Sequence, residues 1–256
     1  MDSRPSIFVH LLPSLIPEGA LGGGVAVVLD VLRATTVMVH ALASGCEAIV
    51  PCLEIEEAEE VAASFPPGTA ILAGERGGLP IPGFDLGNSP GDFHPEVCRG
   101  KTLVMTTTNG TRAILSSRAA DRVLIGAFPN LGAIVGEVGV SRQDIHVVCA
   151  GTDGLVSFED TMLAGCLVLE LERGSGLSAG NDAALIARRC WEASGPGPGL
   201  ASTLATGRGG RRVSGLGLGA DIEAAGRVSR SDLVPELRPG PLRIVAAGAT
   251  RGGRIG

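Results

Sequence analysis

Three segments of the chain repeat one pattern of apolar and polar positions. In each segment a β-branched apolar run of strand length leads into a short turn rich in Gly, Thr or Asp, and a helical pattern follows. The apolar runs, which we interpret as strands, cover residues 25–29, 102–105 and 145–149. The helices that follow are predicted over about 34–44, from about 111, and over about 158–172.

Repeated strand-turn-helix units indicate an α/β fold, in which helices cover both faces of a sheet. Ligands of such sheets bind beyond the carboxyl ends of the strands. We therefore expect the three polar turns to lie together at one edge of the sheet, where they form the candidate site.

Weaker patterns complete the prediction of secondary structure. Further strands are expected at 6–11, 48–51, 70–73 and 123–126, and further helices at 54–64, 130–138 and 181–193. The Gly- and Pro-rich stretch 74–95 is expected to lack regular structure and to serve a site or a lid. The segment 207–219 is interpreted as a solvated turn with arginines, 195–199 as a linker and 248–256 as a disordered tail.

Composition restricts the class of protein. With 45% hydrophobic and 19% charged residues, the chain is expected to form a compact core. The net charge of -6 and the single Trp argue against a nucleic-acid partner. No apolar run is long enough for a membrane span and the start lacks a secretory pattern, so we expect a cytoplasmic protein without a membrane partner. The high apolar content is compatible with a homodimer.

The six cysteines and four histidines contribute little to the candidate chemistry. The cysteines form no CxxC pair and are interpreted as buried reduced thiols. His146 lies inside an apolar run and is interpreted as structural. Neither a zinc site nor a disulfide framework is expected.

The first polar turn has the chemistry of an anion site. Arg33, Thr35 and Thr36 follow the first strand where a helix begins, so a cation, two hydroxyls and free backbone N–H groups face the same place. Asp30 stands beside them, and a carboxylate next to a phosphate requires either a divalent cation between them or attack by the carboxylate on phosphorus. The alternative is structural, with Asp30 as a helix N-cap.

The Gly-rich stretch carries oxygen ligands of the kind that Mg²⁺ prefers. Glu75, Asp85 and Asn88 offer two carboxylates and an amide on flexible backbone, and Arg76 adds a cation. Loop acids that are merely solvated are the alternative. This cluster makes Mg²⁺ the expected cofactor.

The other two polar turns supply further candidates. Hydroxyl-rich positions after the second strand suit phosphate or sulfonate oxygens, with helix capping as the alternative: Thr107, Asn109, Gly110, Thr111 and Arg112. Glu159 and Asp160 open the third helix, where the helix dipole alone also favours acids.

Several phosphate-handling motifs are absent. A haloacid-dehalogenase-type phosphatase requires a second aspartate two positions after the first, and Leu32 stands there. The chain contains no P-loop motif and no G-x-S-x-G nucleophile motif.

The motifs taken together resemble the ComB family of 2-phosphosulfolactate phosphatases. The resemblance covers about residues 7–237 and is carried by the strings LDVLRATT, GERGG, GFDLGNSP, TTTNGTR, CAGT and SFED, in this order and spacing. The segments 219–222 and 234–235 also match the family, whereas 207–217 matches it poorly. Residues that stand where the motifs of the family stand are Asp30, Arg33, Glu75, Asp85, Asn88, Asn109, Thr111, Glu159, Asp160 and Asp221.

The resemblance implies both an activity and an architecture. The activity is Mg²⁺-dependent hydrolysis of (2R)-phospho-3-sulfolactate to sulfolactate and phosphate, a step towards coenzyme M. The architecture is a three-layer α/β/α fold of two similar halves, which places the division near residue 125 and gives halves of 1–125 and 126–256. The rivals are a phosphatase of this fold with another small phosphate ester as substrate, and a non-catalytic phosphometabolite-binding protein.

The mechanistic hypothesis assigns roles to these residues. Mg²⁺ is expected on Asp30, Glu75 and Asp85, with Glu159 as the alternative to Asp85. Arg33 and helix N-terminal amides are expected to hold the phosphoryl oxygens, and Arg76 or Arg112 the sulfonate. The expected catalytic residues are Asp30, Arg33, Glu75, Glu159 and Asp160. Attack by water and attack by Asp30 both remain open, and the missing acid at Leu32 favours water.

Overall fold

The computed structural model describes residues 5–195 and 199–247. The expected linker at 195–199 lies mostly outside these residues, and the expected tail at 248–256 lies wholly outside them. Across the described ranges, none of the helices combines the length and the apolar character that spanning a membrane requires.

The described residues form a mixed α/β fold. Its strands are β1 (Ser6–His10), β2 (Val25–Leu29), β3 (Ala48–Cys52), β4 (Ala70–Arg76), β5 (Leu79–Pro80), β6 (Thr102–Thr106), β7 (Arg122–Gly126), β8 (Ile145–Cys149), β9 (Ser178–Ala179), β10 (Pro235–Arg238) and β11 (Arg243–Ala246). Its α-helices are α1 (Ala34–Ala43), α2 (Ile55–Ala63), α3 (Pro95–Cys98), α4 (Gly110–Ser116), α5 (Leu131–Gly139), α6 (Phe158–Ser175), α7 (Asp182–Ser194), α8 (Leu200–Leu204), α9 (Arg208–Gly215) and α10 (Gly219–Ala225).

The strands join one large sheet, in the order β5-β4-β6-β3-β11-β10-β7-β2-β8-β1-β9. β4, β6 and β3 are parallel to one another, and so are β7, β2, β8, β1 and β9. The hairpin of β10 and β11 lies between these two blocks and is antiparallel to its neighbour on each side. The two parallel blocks therefore run in opposite directions.

The central strand β2 shows why its sequence is continuously apolar. Ala26 and Val28 pack in one hydrophobic cluster with Met38 of α1, whereas Val27 packs in another with Leu163 of α6. Successive side chains of a strand point to opposite faces, so a strand that is covered on both faces must be apolar at every position. The three predicted strand-turn-helix units are confirmed by β2 with α1, β6 with α4 and β8 with α6.

The expectation that all three polar turns share one sheet edge is wrong in one respect. β2 and β8 are parallel neighbours, so the turns after them do lie at the same edge. The turn after β6 comes from the oppositely directed block, yet a Cβ atom on Gly110 would lie only 2.7 Å from Asp30 Oδ2. The turn after β6 and the turn after β2 therefore meet although their strands run in opposite directions.

Strands from the two expected halves of the chain interleave in the sheet. β2 lies between β7 and β8, and β3 lies beside β11. The division expected near residue 125 falls inside β7 (Arg122–Gly126) and stays a prediction.

Two segments are more regular than their composition suggested. β4 continues to Arg76, and the chain turns back at once through β5, so the stretch 74–95 begins with a hairpin. The segment 207–219 forms α9 and the start of α10 instead of a solvated turn. Glycine is a poor helix former, so its abundance concealed the helix.

Close packing explains the glycines of α9. A Cβ atom on Gly210 would lie 2.1 Å from the carbonyl oxygen of Leu204, whereas one on Gly215 would meet nothing within 4 Å. We expect Gly210→Ala to lower the free energy of unfolding by about 1–3 kcal/mol through overpacking. Gly215→Ala, the matched control in the same helix, is expected to change it by less than about 1 kcal/mol. Urea denaturation of both variants measures the contrast, and equal effects would contradict it.

A pair of histidines connects β1 and β8. His10 Nε2 lies 3.1 Å from His146 Nδ1, and the two rings are stacked with their centroids 5.4 Å apart. Burial, with the charge of His146, lowers the pKa of His10 to about 4. Both rings are buried between neighbouring strands, as the structural interpretation of His146 requires.

The lowered pKa of His10 predicts a loss of stability in acid. As the pH falls from 6.5 towards 4, the unfolded chain takes up a proton at His10 that the folded protein does not. His10 should therefore cost the fold about 3 kcal/mol across this window. Comparing urea unfolding of the wild type and His10→Gln at each pH isolates this contribution. Parallel stability curves for the two proteins would contradict the assignment.

Candidate active site

The turn between β2 and α1 is closed by its own hydroxyls. The Thr35 hydroxyl donates to the carbonyl oxygen of Asp30 at 2.9 Å and accepts from the Asp30 N–H at 3.0 Å. The Thr36 hydroxyl donates to the carbonyl oxygen of Val31 at 2.8 Å. Both threonines are fully buried, so they shape the turn instead of facing a ligand as the sequence had suggested.

A small cavity of about 40 Å³ opens beside this turn. Five separate parts of the chain contribute to its wall: the β2–α1 turn, the hairpin of β4 and β5 with the loop after it, the β6–α4 turn, the loop after β8, and α9. The lining residues are Asp30, Leu32, Arg33, Glu75, Gly78, Asn88, Thr108, Asn109, Thr152, Gly209, Arg212 and Val213. The cavity thus joins all three polar turns with a helix whose segment the sequence had suggested to be a solvated turn.

Arg33 is held firmly at the cavity wall. Its guanidinium donates to Asp221 Oδ2 at 2.8 Å, to the Ser89 hydroxyl at 3.2 Å and to the carbonyl oxygen of Gly78 at 2.7 Å. Ser89 also donates to the same Asp221 oxygen, at 2.9 Å. The arginine is only 5% exposed, so its charge acts at reduced dielectric and in a fixed direction.

Glu75 links the hairpin to the second polar turn. Its Oε2 accepts from the Gly78 N–H and its Oε1 from the Thr108 N–H, both at 2.7 Å. The side chain is 7% exposed and lines the cavity. A carboxylate therefore stays near Asp30 because two backbone amides compensate its burial.

Asp30 carries the most informative pKa of the site. Burial raises the pKa of Asp30 to about 7, and the negative charges of Glu75 and Glu159 add to the rise. The hydrogen bond from the Ala34 N–H acts in the opposite direction and lowers the pKa. Mutual repulsion among buried acids is costly unless a cation or a proton is present. This cluster is suited to receive positive charge.

Glu159 is a buried acid without a hydrogen-bond partner for either carboxylate oxygen among the described residues. It is 1% exposed, and burial raises its pKa. α9 and the residue before it pack closely on Glu159. A Cβ atom added to Gly209 would overlap Glu159 Oε1, and one added to Gly207 would overlap Glu159 Oε2. A buried carboxylate in this state is costly unless a proton, water or a cation compensates it.

Two further acceptors beside the cavity also lack partners. Asn88 Oδ1 and Thr108 Oγ1 are buried without a hydrogen bond in the described part of the chain, and both residues line the cavity. Mg²⁺ usually takes one or two carboxylates and completes its octahedron with water and substrate oxygens. Asp30 with Glu75 or Glu159, supported by Asn88, fits that requirement. Within the described ranges, no three acid, His or Cys side chains form a complete metal cage.

The structure does not bring Asp85 to this cluster. Asp85 is exposed and its Oδ2 accepts from the Leu72 N–H at 2.9 Å, which ties the loop to β4. It is not part of the cavity wall. The expected ligand set of Asp30, Glu75 and Asp85 is therefore not assembled. The charge of Glu159, the alternative to Asp85, adds to that of Glu75 in raising the pKa of Asp30.

The two arginines expected to receive a sulfonate also lie elsewhere. Arg76 donates to the carbonyl oxygens of Glu75 and Leu53 and to the Thr106 hydroxyl, so its guanidinium is engaged in the fold. Arg112 is exposed on α4. Neither side chain lines the cavity.

The second polar turn is shared between structure and site. Thr107 and Thr111 pair their hydroxyls at 3.2 Å, and the Thr107 hydroxyl accepts from the Thr111 N–H. Gly110 lies against the carboxyl group of Asp30, where a side chain would not fit. Asn109 lines the cavity as expected.

Asp160 lies behind the cavity wall. Its two oxygens accept from the N–H groups of Val31 and Gly151 at 2.8 and 3.1 Å. Burial raises its pKa well above the usual value, with Asp30 and Glu159 adding to the rise. Asp160 thereby fixes the turn after β2 to the turn after β8, which is a positioning role.

The sequence did not identify Arg212 as part of the site. Arg212 lines the cavity from α9, and its guanidinium donates to both oxygens of Asp153, one at 3.1 Å. The signal in the sequence was the group of three arginines within 207–219, a segment that composition had suggested to be a solvated turn.

The chain is similar to known proteins over most of its length. The model of the 2-phosphosulpholactate phosphatase family matches residues 10–240. The chain is 37% identical over 219 residues to a probable 2-phosphosulfolactate phosphatase of Caldanaerobacter subterraneus subsp. tengcongensis, covering 85% of this chain and 89% of that protein. Proteins with the same name from Synechococcus sp. (strain CC9605) and Deinococcus radiodurans are 38% and 40% identical, over 91% and 89% of this chain and 96% and 92% of their own length.

The matched region contains every residue that lines the cavity, from Asp30 to Val213. Both the length of the match and the level of identity exceed what a shared fold alone would give. The chain belongs to the 2-phosphosulpholactate phosphatase family.

Proposed function

We propose that the protein is a phosphoric monoester hydrolase that converts 2-phosphosulfolactate to sulfolactate and phosphate with Mg²⁺ as cofactor. The family match and the names of the relatives support the reaction. The observation that carries the proposal in the structure is a cavity in which a buried arginine faces acids that repel one another, next to unpartnered oxygen acceptors. Phosphoryl transfer requires this combination of a cation site and an oxyanion site.

The residues divide into two functional groups. Asp30, with Glu75 or Glu159 and Asn88, would hold Mg²⁺, which supplies charge neutralisation for the transferring phosphoryl group. Arg33 binds the phosphoryl oxygens with an orientation fixed by Asp221 and Ser89. Because Arg33 is oriented before substrate binds, its guanidinium stabilises developing charge without reorganisation.

The attacking group is water in this proposal. A phosphorylated aspartate would need a nearby acid to protonate the leaving alcohol, and position 32, where the aspartyl-phosphate enzymes have it, is Leu32. Acid quench during turnover of ³²P-labelled ester separates the two routes. Label that stays on the protein would overturn the water route, and free phosphate alone supports it.

A panel of phosphate esters tests the substrate assignment. Initial rates of phosphate release would be measured for 2-phosphosulfolactate, a phosphoglycerate and a sugar phosphate under the same conditions. We expect kcat/KM to be highest for 2-phosphosulfolactate. A higher value for another ester would reassign the substrate, and turnover of none would leave the protein as a binder of phosphorylated metabolites.

The architecture implied by the resemblance is also a proposal. Helices α1 and α6 cover opposite faces of β2, which supports the three layers, whereas the interleaved strands give no support to a division into halves at residue 125. A cytoplasmic location, a homodimer and a role on a route to coenzyme M stay predictions.

A further inference from the structure

Among the residues that line the cavity, two are cationic, Arg33 and Arg212. Their surroundings differ. The side chain of Arg33 is 4% exposed and has a buried ion-pair partner, whereas that of Arg212 is 34% exposed. Arg33 therefore lies in the wall near the acids, and Arg212 lies near the mouth.

Arg212 connects the two sides of the mouth. Its guanidinium donates to both carboxylate oxygens of Asp153 in the loop after β8. Its aliphatic part lies beside Gly78 of the hairpin of β4 and β5, where a Cβ atom added to Gly78 would be 3.6 Å from Arg212 Cδ. The guanidinium thus already holds an oxyanion, with two parallel donors, at the place where a substrate would enter.

Asp153 is a replaceable partner. Its side chain is 33% exposed, and its backbone has φ of 54°, in the left-handed region that is uncommon for residues other than glycine. Arg208 also approaches it, at 3.4 Å, but does not line the cavity. If Asp153 gave up Arg212, its carboxylate would still have Arg208 and water.

The substrate of the proposed function carries three anionic groups. Its carboxylate is attached to the carbon that bears the phosphate ester, and its sulfonate is one carbon further away. The sulfonate arm is one carbon longer than the carboxylate arm, so with the phosphoryl group at Arg33 the sulfonate has the greater reach towards Arg212. A planar guanidinium binds two of its oxygens in the same way as it binds a carboxylate.

We propose that Arg212 recognises the sulfonate of the substrate and that Asp153 occupies its guanidinium until the sulfonate displaces it. This inference rests on the proposed function. It replaces Arg76 and Arg112, the arginines that the sequence had suggested, and makes Arg212 the residue that determines specificity.

Three esters separate the anionic groups. Phosphate release would be measured with 2-phosphosulfolactate, with 2-phospholactate, which lacks the sulfonate, and with the phosphate ester of 2-hydroxyethanesulfonate, which lacks the carboxylate. We expect Arg212→Met to lower kcat/KM by about 10- to 100-fold for the two sulfonate esters, mainly through KM. For 2-phospholactate we expect a change of less than about threefold, which also shows that the variant is folded.

Two variants serve as controls for the ion pair. Arg208→Met removes the other partner of Asp153 and is expected to leave all three esters within about threefold of the wild type. Asp153→Ala removes the competing carboxylate and is expected to lower KM for the sulfonate esters only. A rise in KM for those esters in Asp153→Ala would overturn the displacement step.

Other outcomes would overturn the assignment of Arg212. Equal losses on all three esters would make Arg212 a general anion site, and a loss confined to the two carboxylate esters would make it the carboxylate site. Calorimetric titration with sulfolactate measures the same contact without turnover, and Arg212→Met is expected to weaken it about tenfold. Absence of hydrolysis in the wild type would therefore refute the proposed function, while the titration still decides this inference.

Discussion

Asp30→Asn is expected to lower kcat/KM for phosphate release by about 10³-fold or more. Asparagine keeps an oxygen that can accept from the Ala34 N–H but removes the charge that attracts the cation. The folded protein should not be weakened, because the ionised Asp30 is buried and repelled by Glu75 and Glu159. Initial rates at saturating Mg²⁺, together with thermal unfolding, test both parts. Loss of activity with an equal or higher Tm is the expected combination.

Asp85→Asn provides the matched control for Asp30. It is the same chemical change at an exposed acid that lies outside the cavity. We expect its kcat/KM to stay within about threefold of the wild type, because surface substitutions of this kind have small effects. An equally large loss at Asp85 would mean that the loop carrying it moves to the acids in the working enzyme.

Arg33→Ala is expected to reduce both activity and stability. Removing the guanidinium leaves Asp221 buried without its cation, and breaking a buried ion pair in this way costs about 3–5 kcal/mol. The loss of oriented charge at the phosphoryl site should lower kcat by about 10²–10³-fold. Urea denaturation and initial rates measure the two effects separately.

Two related variants separate charge from orientation at Arg33. Arg33→Lys keeps a cation but cannot make the three contacts of the guanidinium with Asp221, Ser89 and Gly78. Asp221→Asn keeps Arg33 and removes only the negative charge of its partner. We expect intermediate losses of kcat in both. Full activity in Arg33→Lys would show that the orientation of Arg33 is unimportant.

The sequence was sufficient for the parts of the fold that local patterns determine. β2 with α1 and β8 with α6 follow from apolar runs that end in polar turns, and Asp30 and Arg33 follow from the position of one such turn. Position at a strand end is a local property, and the cavity is built where those ends meet.

The sequence was insufficient where pairing between distant segments decides the outcome. The C-terminal hairpin of β10 and β11 lies in the middle of the sheet, and no pattern in residues 235–246 indicates which strands flank it. Arg76 and Asp85 had suitable chemistry, but the pairing of β4 turns both towards backbone groups. The direction of a side chain at a hairpin depends on the register of strand pairing, and this register cannot be inferred from the composition of a loop.

The glycines of α9 were interpreted wrongly for a related reason. Composition alone describes a flexible turn, because glycine has a low helix propensity. In the fold, Gly209 and Gly210 are buried and allow the helix to approach Glu159 and Leu204. Packing against α6 stabilises a helix that the isolated segment would not form. Arg212 reaches the cavity only because of that packing.

The buried acids of the site lower the stability of the fold and at the same time prepare it to bind a cation. Asp30, Glu159 and Asp160 are all buried with raised pKa values. Natural proteins tolerate such arrangements mainly at functional sites, where a ligand completes them. Binding of a divalent cation to the folded state alone should therefore stabilise the protein.

Phosphate release from 2-phosphosulfolactate with Mg²⁺, with excess EDTA, and after Mg²⁺ is restored tests the central claim most directly. We expect turnover by the wild type with Mg²⁺, its loss with the chelator and its recovery when the metal is returned, while Asp30→Asn stays inactive throughout. Turnover that resists the chelator, or that Asp30→Asn retains, would contradict a cation-dependent phosphatase site in this cavity.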